Sequence, residues 1–302
     1  MKGAVFMLAA LAATHASAAD TPACKMQMIA SLPLLDDKLG MPMVSATLGD
    51  KQVPMLVDTG GTFSMIGKHI ADETHAYTSR IAGGKFSLVD NKDLKEIAQV
   101  RPFALGEMRT EKFDFLVLPD GEVGPRDLAG TIAPDILANF DVEFDFAHHE
   151  MNLFSQDRCP GKVVYWAKDW AEVPFSSPDN LHIVVDMTLD GKPMKAQLDT
   201  GSSSSFLSES VAKEMFGVVP TTAPATNETD PAEPHAFSHA FKSLSMNGVT
   251  MNAPEFVILP DKKSSLIGHY GKMLLGMNEL KRFHLFIAYK EEVLYITAAD
   301  AH

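Results

Sequence analysis

Two carboxylates stand out as the groups able to do chemistry in this chain. Asp58 closes the apolar run of QVPMLVDTGGTFSMI (residues 52–66), and Asp199 closes that of GKPMKAQLDTGSSSSFL (residues 191–207). Each is followed by Thr-Gly, and the two acids lie 141 positions apart. A charged group in a half-buried strand is costly to desolvate unless it is paired. Held a few ångströms apart, two carboxyls share one proton, so one can act as general base and the other as general acid. Such chemistry calls for no metal, cofactor or covalent intermediate.

The elements that must position these acids are themselves duplicated. MVSATLGDKQVPMLVDTGGTFSMI (43–66) lies without a gap over VVDMTLDGKPMKAQLDTGSSSSFL (184–207). The same offset holds at LPL (32–34) and VPF (173–175), and again at FLVLPD (115–120) and FVILPD (256–261). After a two-residue slip, IAPDILANFDVEFDFAHHEMNLF (132–154) matches LGMNELKRFHLFIAYKEEVLYI (275–296). One unit is therefore written twice. Within each copy, residues 43–48 and 184–189 alternate in polarity and end at the turn pairs Gly49-Asp50 and Asp190-Gly191. This predicts a hairpin leading into the strand that carries the acid. SMIGKHIADET and SESVAKEMFG predict short helices or turns after it, and the remaining apolar segments predict strands and hairpins. Residues 219–234, rich in Pro, Thr and Ala, predict a loop. The lobe junction falls near SQDRCPGK (155–162).

With this pattern each half resembles an aspartic protease of the retroviral (retropepsin-like) type. That pattern is an apolar strand, Asp-Thr-Gly, an apolar run, and later an apolar-apolar-Gly segment followed by a strand. Retroviral enzymes join two identical chains, whereas pepsins carry two diverged lobes in one. This sequence is similar to the second arrangement built from short halves, as in exported bacterial aspartic proteases, over nearly all of residues 29–298. The resemblance implies a mainly β, two-lobed pepsin/retropepsin-like fold with a central cleft, with residues 19–158 and 159–302 as its lobes. It also implies an aspartic endopeptidase acting on extended protein segments, as a monomer that is an internal pseudo-dimer. Asp58 and Asp199 are then the catalytic pair, and Thr59 and Thr200 cross-link the loops beneath them. Gly60 and Gly201 allow a sharp turn that brings N–H groups to the carboxylates.

The copies differ after the first glycine, with Gly61 in one and Ser202 in the other. A Ser202 hydroxyl bonded to Asp199 would make Asp199 the more acidic member and leave the proton on Asp58. The later glycine is Gly276 in the second half, but the first half has Ala133-Pro134, whose methyl is expected to crowd Asp58. A single flap is expected from SRIAGGKFSLV (79–89), with Ala82, Gly83 and Gly84 at its tip; Gly83 lies 25 positions after Asp58. The second half has PHAFSHAF (234–241) there instead.

The first eighteen residues, MKGAVFMLAALAATHASA, have the layout of a secretory signal peptide, so the chain is expected to be exported to the periplasm or beyond. Their apolar run is too short for a bilayer-spanning helix, and no second long apolar run occurs. In an oxidising space Cys24 and Cys159 are candidates for a disulfide. The net charge is −13 over the whole chain, and 25 − 39 = −14 once Lys2 is removed with the leader. This argues against nucleic acid and anionic membranes as partners and leaves a protein or peptide substrate, expected among envelope proteins. His235 and His239 are four apart, but no third metal ligand accompanies them. His148-His149 is expected at a hairpin turn, and Asn227-Glu228-Thr229 matches a glycosylation sequon without consequence in a bacterial protein. The rival class is an actin/hexokinase-like nucleotide binder, whose phosphate loops also carry an Asp-x-Gly pattern once per half. A third possibility keeps the protease fold as an inactive peptide-binding protein.

Overall fold

The structure is a computed structural model that describes residues 25–36, 39–82, 86–88, 93–119, 128–157, 161–219, 235–267 and 270–300. The segment 1–18, both cysteines, Gly83 and Gly84 lie outside the described residues.

Each half begins with the expected hairpin. Pro42–Leu48 pairs with Lys51–Val57, and Val184–Leu189 pairs with Lys192–Leu198, both antiparallel. At the second turn Asp190 and Gly191 both have positive φ, 48° and 76°. That backbone suits the right-handed twist of the flanking strands and explains the Asp-Gly pair. The acid-bearing strand then runs parallel to a later strand in the same half. Lys51–Val57 pairs with Gly130–Ile132, and Lys192–Leu198 pairs with Met273–Leu275. Each later strand pairs on its other side with the segment just after the acid, Met65–Gly67 or Ser205–Ser208. That segment in turn runs parallel to Phe113–Leu118 or Glu255–Leu259. Each Asp-Thr-Gly loop is thus held between two hydrogen-bonded strands of its own lobe. Helices Lys68–Glu73 and Glu209–Phe216 follow, where short helices were expected.

The two halves meet in a six-stranded antiparallel sheet. Its order is Met28–Pro33, Glu150–Phe154, Asp141–Asp145, Phe283–Ala288, Val293–Ala298 and Ala171–Ser176, three strands from each half. At its centre Val142 pairs with Ile287 and Phe144 with Leu285. Because 142 corresponds to 285 and 144 to 287, the contact is self-complementary about a pseudo-twofold axis, as in a symmetric dimer. One apolar core runs from Val57 and Ile132 through Val142 and Ile287 to Leu198 and Leu275. At this junction the buried Glu143 accepts from Asn152 Nδ2 at 2.8 Å and Tyr165 Oη at 2.7 Å, with His284 Nε2 2.9 Å away. Those partners offset the desolvation of a carboxyl inside the sheet. His148 and His149 sit at the turn between Asp141–Asp145 and Glu150–Phe154, as expected.

In the N-terminal lobe, Tyr77–Arg80 pairs with Glu96–Val100, and further out Phe86–Ser87 pairs with Asp93–Leu94. Ala82 is in a turn on the outgoing arm. Of the expected flap tip only Ala82 is among the described residues.

Candidate active site

Asp58 and Asp199 come together at the lobe boundary, half-buried and hydrogen-bonded to each other. Their backbones are fixed alike: Asp58 N–H donates to Ile132 O at 2.9 Å and Asp199 N–H to Leu275 O at 3.0 Å. Beneath them the two threonines, 1% and 2% exposed, interlock. Thr200 Oγ1 donates to Val57 O at 2.6 Å and accepts from Thr59 N–H at 3.1 Å. Reciprocally, Thr59 Oγ1 lies 3.4 Å from Leu198 O and accepts from Thr200 N–H at 3.1 Å. Each hydroxyl therefore satisfies two backbone groups of buried loops, one donor and one acceptor. Thr200→Val would strand a carbonyl and an N–H in the core; the expected loss is about 2–4 kcal/mol, read as a lower denaturant midpoint.

The glycines permit the close approach. A Cβ on Gly60 would stand 2.2 Å from Asp199 Cγ, and one on Gly201 would stand 2.5 Å from Asp58 Cγ. Each carboxyl thus lies against the backbone of the opposite loop. Gly60 N–H and Gly61 N–H donate to Asp58 Oδ1 at 3.0 and 2.9 Å, and Gly201 N–H donates to Asp199 Oδ1 at 2.8 Å.

The two acids are unequal, in the order opposite to that expected from the sequence. Burial pushes both carboxyls above the usual range. Asp199 is pushed further, because the charge of Asp58 adds to its burial. At Asp58 burial is opposed by the bond from Asp199, by the Gly61 and Gly60 N–H groups, and by the nearby His182. These surroundings favour ionisation of Asp58 over that of Asp199. The expectation failed because the Ser202 hydroxyl donates to Ser204 O at 2.8 Å, not to Asp199. Ser202→Ala is accordingly expected to leave the pair's titration unmoved, a result NMR of the carboxyl carbons would read.

Ala133 does not displace Asp58. It is fully buried, and its N–H donates to Ser64 Oγ at 2.9 Å, while Ser64 Oγ donates to Asp135 Oδ1 at 2.6 Å. The second half repeats this with Gly276 N–H on Ser205 Oγ at 3.0 Å and Ser205 Oγ on Asn278 Oδ1 at 2.8 Å. What restricts position 61 is Asp58 itself: a Cβ there would stand 2.8 Å from Asp58 Oδ2, but 3.5 Å, an ordinary contact distance, from the Ala133 methyl. In the second half a Cβ on Gly276 would stand 2.2 Å from the main-chain oxygen of Ser204, so backbone holds that position to glycine.

Sequence reading missed Asp179, His182 and Gln197. His182, 6% exposed, lies with Nδ1 2.5 Å from Asp179 Oδ2 and Nε2 3.0 Å from Gly60 O. Gln197 Nε2 donates to the same carbonyl at 3.3 Å. The only available signal was the repeat, in which His182 and Gln197 stand where the first half has Met41 and Leu56. His239 lies in the strand Phe237–Ala240, so its spacing from His235 is not helical. Among the described residues no group of three or more His, Cys, Asp or Glu is arranged to hold a metal ion.

Two β lobes, a shared six-stranded sheet and paired acids over interlocked threonines define a bilobal acid-protease architecture. The family model described as aspartyl protease matches residues 44–129 and again residues 185–278, and the chain belongs to that family. No curated protein matches the sequence. Among solved structures it is similar to basic 7S globulin from soybean, with TM-score 0.57 and 12% identity over 92% of this chain and 96% of that one. Conglutin gamma, a basic 7S globulin from lupine seeds, has TM-score 0.57 and 12% identity, covering 90% and 95%. The aspartic proteinase from Irpex lacteus has TM-score 0.55 and 13% identity, covering 89% and 97%. These likenesses carry the fold, shared by a proteinase and by globulins, and not the activity. The nucleotide-binding alternative falls with the family: its two loops would open onto phosphates, whereas these interlock.

Proposed function

We propose that this protein is an exported, monomeric aspartic endopeptidase that cleaves extended segments of envelope proteins in the periplasm or outside the cell. The observation that carries this is the contact between Asp58 and Asp199, which come from separate halves and rest on shared buried threonines. Asp58, ionised, takes a proton from a water held between the carboxyls as its oxygen attacks the scissile carbonyl carbon. Asp199 gives its proton to the carbonyl oxygen. The tetrahedral intermediate collapses when the nitrogen receives the proton from Asp58, the C–N bond breaks and one hydroxyl returns its proton to Asp199 as the carbonyl re-forms. The substrate backbone is held in extended form by main-chain hydrogen bonds across the cleft. Export is supported by the N-terminal leader pattern.

The test is incubation of the purified chain, lacking residues 1–18, with an unfolded protein at pH 5 and pH 7, followed by mass spectrometry of the products. New peptides that disappear with a pepstatin-like inhibitor are expected. Intact substrate at both pH values, over a range of unfolded proteins, would remove the peptidase assignment and leave a binding protein on a protease fold.

A further inference from the structure

His182 is a buried imidazole that the acid-pair mechanism does not use, and its two nitrogens meet two acceptors. Nδ1 faces the Asp179 carboxylate, which also receives the N–H groups of Leu181 at 3.1 Å and His182 at 2.9 Å and the Tyr270 hydroxyl at 3.1 Å. Burial works against ionisation of Asp179, but the His182 and Leu181 N–H groups and the imidazole outweigh it and lower its pKa to about 2. Nε2 faces the carbonyl oxygen of Gly60. A neutral ring would turn a lone pair toward one of these oxygens, whereas the doubly protonated ring donates to both.

The Gly60 carbonyl belongs to the same peptide group as the Gly61 N–H, which donates to Asp58 Oδ1 at 2.9 Å. Donation into one end of a peptide polarises it and strengthens donation from the other end. The second half lacks this relay. Its Ser202 N–H donates to the main-chain oxygen of Asp199 at 3.4 Å, and Met41 stands where the repeat would place a histidine.

We propose that His182, held by Asp179, is a positioning residue that selects Asp58 as the base through the Gly60–Gly61 peptide. The titratable groups facing the ring, among the described residues, are Asp179, Tyr270 with ring centroids 5.4 Å apart, and Asp58. Of these only Asp58 belongs to the acid pair, so a positive charge at His182 favours its ionisation over that of Asp199. This inference rests on the proposed peptidase function for its kinetic consequence, but not for its test.

The variants are His182→Met, which installs the residue the first half uses, and His182→Gln, which keeps a donor near Gly60 O without the charge. NMR titration of the Asp58 and Asp199 carboxyl carbons in each folded variant needs no turnover. In the wild type, Asp58 is expected to ionise first. In His182→Met the Asp58 titration is expected to rise by about one pH unit, with a smaller rise in His182→Gln. If the wild type cleaves peptides, the acid limb of kcat/KM should move by the same amount, with KM changed less than about twofold. Unchanged carboxyl titrations in both variants would overturn the proposal, even if activity fell, because that is the signature of a purely structural histidine. A wild type that cleaves nothing removes the peptidase function while the carboxyl titrations still decide the role of His182.

Discussion

Asp58→Asn and Asp199→Asn are each expected to lower kcat/KM by about 10³-fold or more, since each removes one half of a general acid–base pair. The loss of activity should be similar, whereas the two substitutions should differ in how far they stabilise the fold. Asp199 is a carboxyl whose burial, and the neighbouring charge of Asp58, raise its pKa well above the usual value of 3.8 in the folded state. Folded protein thus binds a proton that the unfolded chain releases above that pH. Stability linked to Asp199 is complete below pH 4 and falls as the pH climbs toward its raised value. An Asn at 199 mimics the protonated acid and is free of that loss. The melting temperature of Asp199→Asn should therefore match the wild type near pH 3 and exceed it increasingly from pH 4 upward. Asp58→Asn should gain less, because two backbone N–H groups that favour a carboxylate would face an amide. A thermal-melt series from pH 3 to pH 8 on both variants, with a quenched-peptide assay beside it, reads both effects. Cleavage that survived either substitution would end the two-acid mechanism.

The second large effect is expected at a position that touches no substrate. In Gly276→Ala the new Cβ would stand 2.2 Å from Ser204 O and 2.9 Å from Ser202 O, both main-chain atoms of the loop after Asp199. Backbone held by strand pairing on both sides cannot move aside as a side chain can. The loop or the strand Met273–Leu275 must shift, at a cost of about 3 kcal/mol or more. The mirror substitution, Ala133→Gly, only deletes a methyl and loosens the backbone, at about 0.5–1 kcal/mol relative to Ala. Urea midpoints of the two variants should differ several-fold in displacement, and Gly276→Ala should also lose most activity because Asp199 N–H is anchored on Leu275 O. Equal midpoints would show that the loop after Asp199 makes room for a methyl as readily as the first half does at Ala133.

The contrast between positions 133 and 276 was beyond the reach of the sequence. The in-step repeat made both acids visible, and with them the paired hairpins, because these features are written in contiguous residues of fixed period. The outer strands of the interlobe sheet showed only as repeated segments, LPL and VPF; the structure pairs Pro33 with Glu150 as it pairs Pro174 with Val293. Ala133 looked like a defect because the repeat does not show that main chain, the Ser204 carbonyl, presses on this position in the second half. Ser202 looked like a ligand of Asp199 because adjacency along the chain says nothing about where a hydroxyl turns. The flap was placed at its glycines, which lie outside the described residues.

The sequence alone determined that this protein is two copies of one β unit, each delivering an Asp-Thr-Gly loop, since a conserved frame of alternating residues is a local property of the chain. Only the tertiary structure decided what biases the choice of the acid that keeps the proton. That choice depends on single N–H groups within about 3 Å of an oxygen, and on an imidazole that reaches the Gly60 carbonyl from 122 positions away. Interactions of that range are set by how the halves dock, and docking leaves no periodic trace in a linear chain.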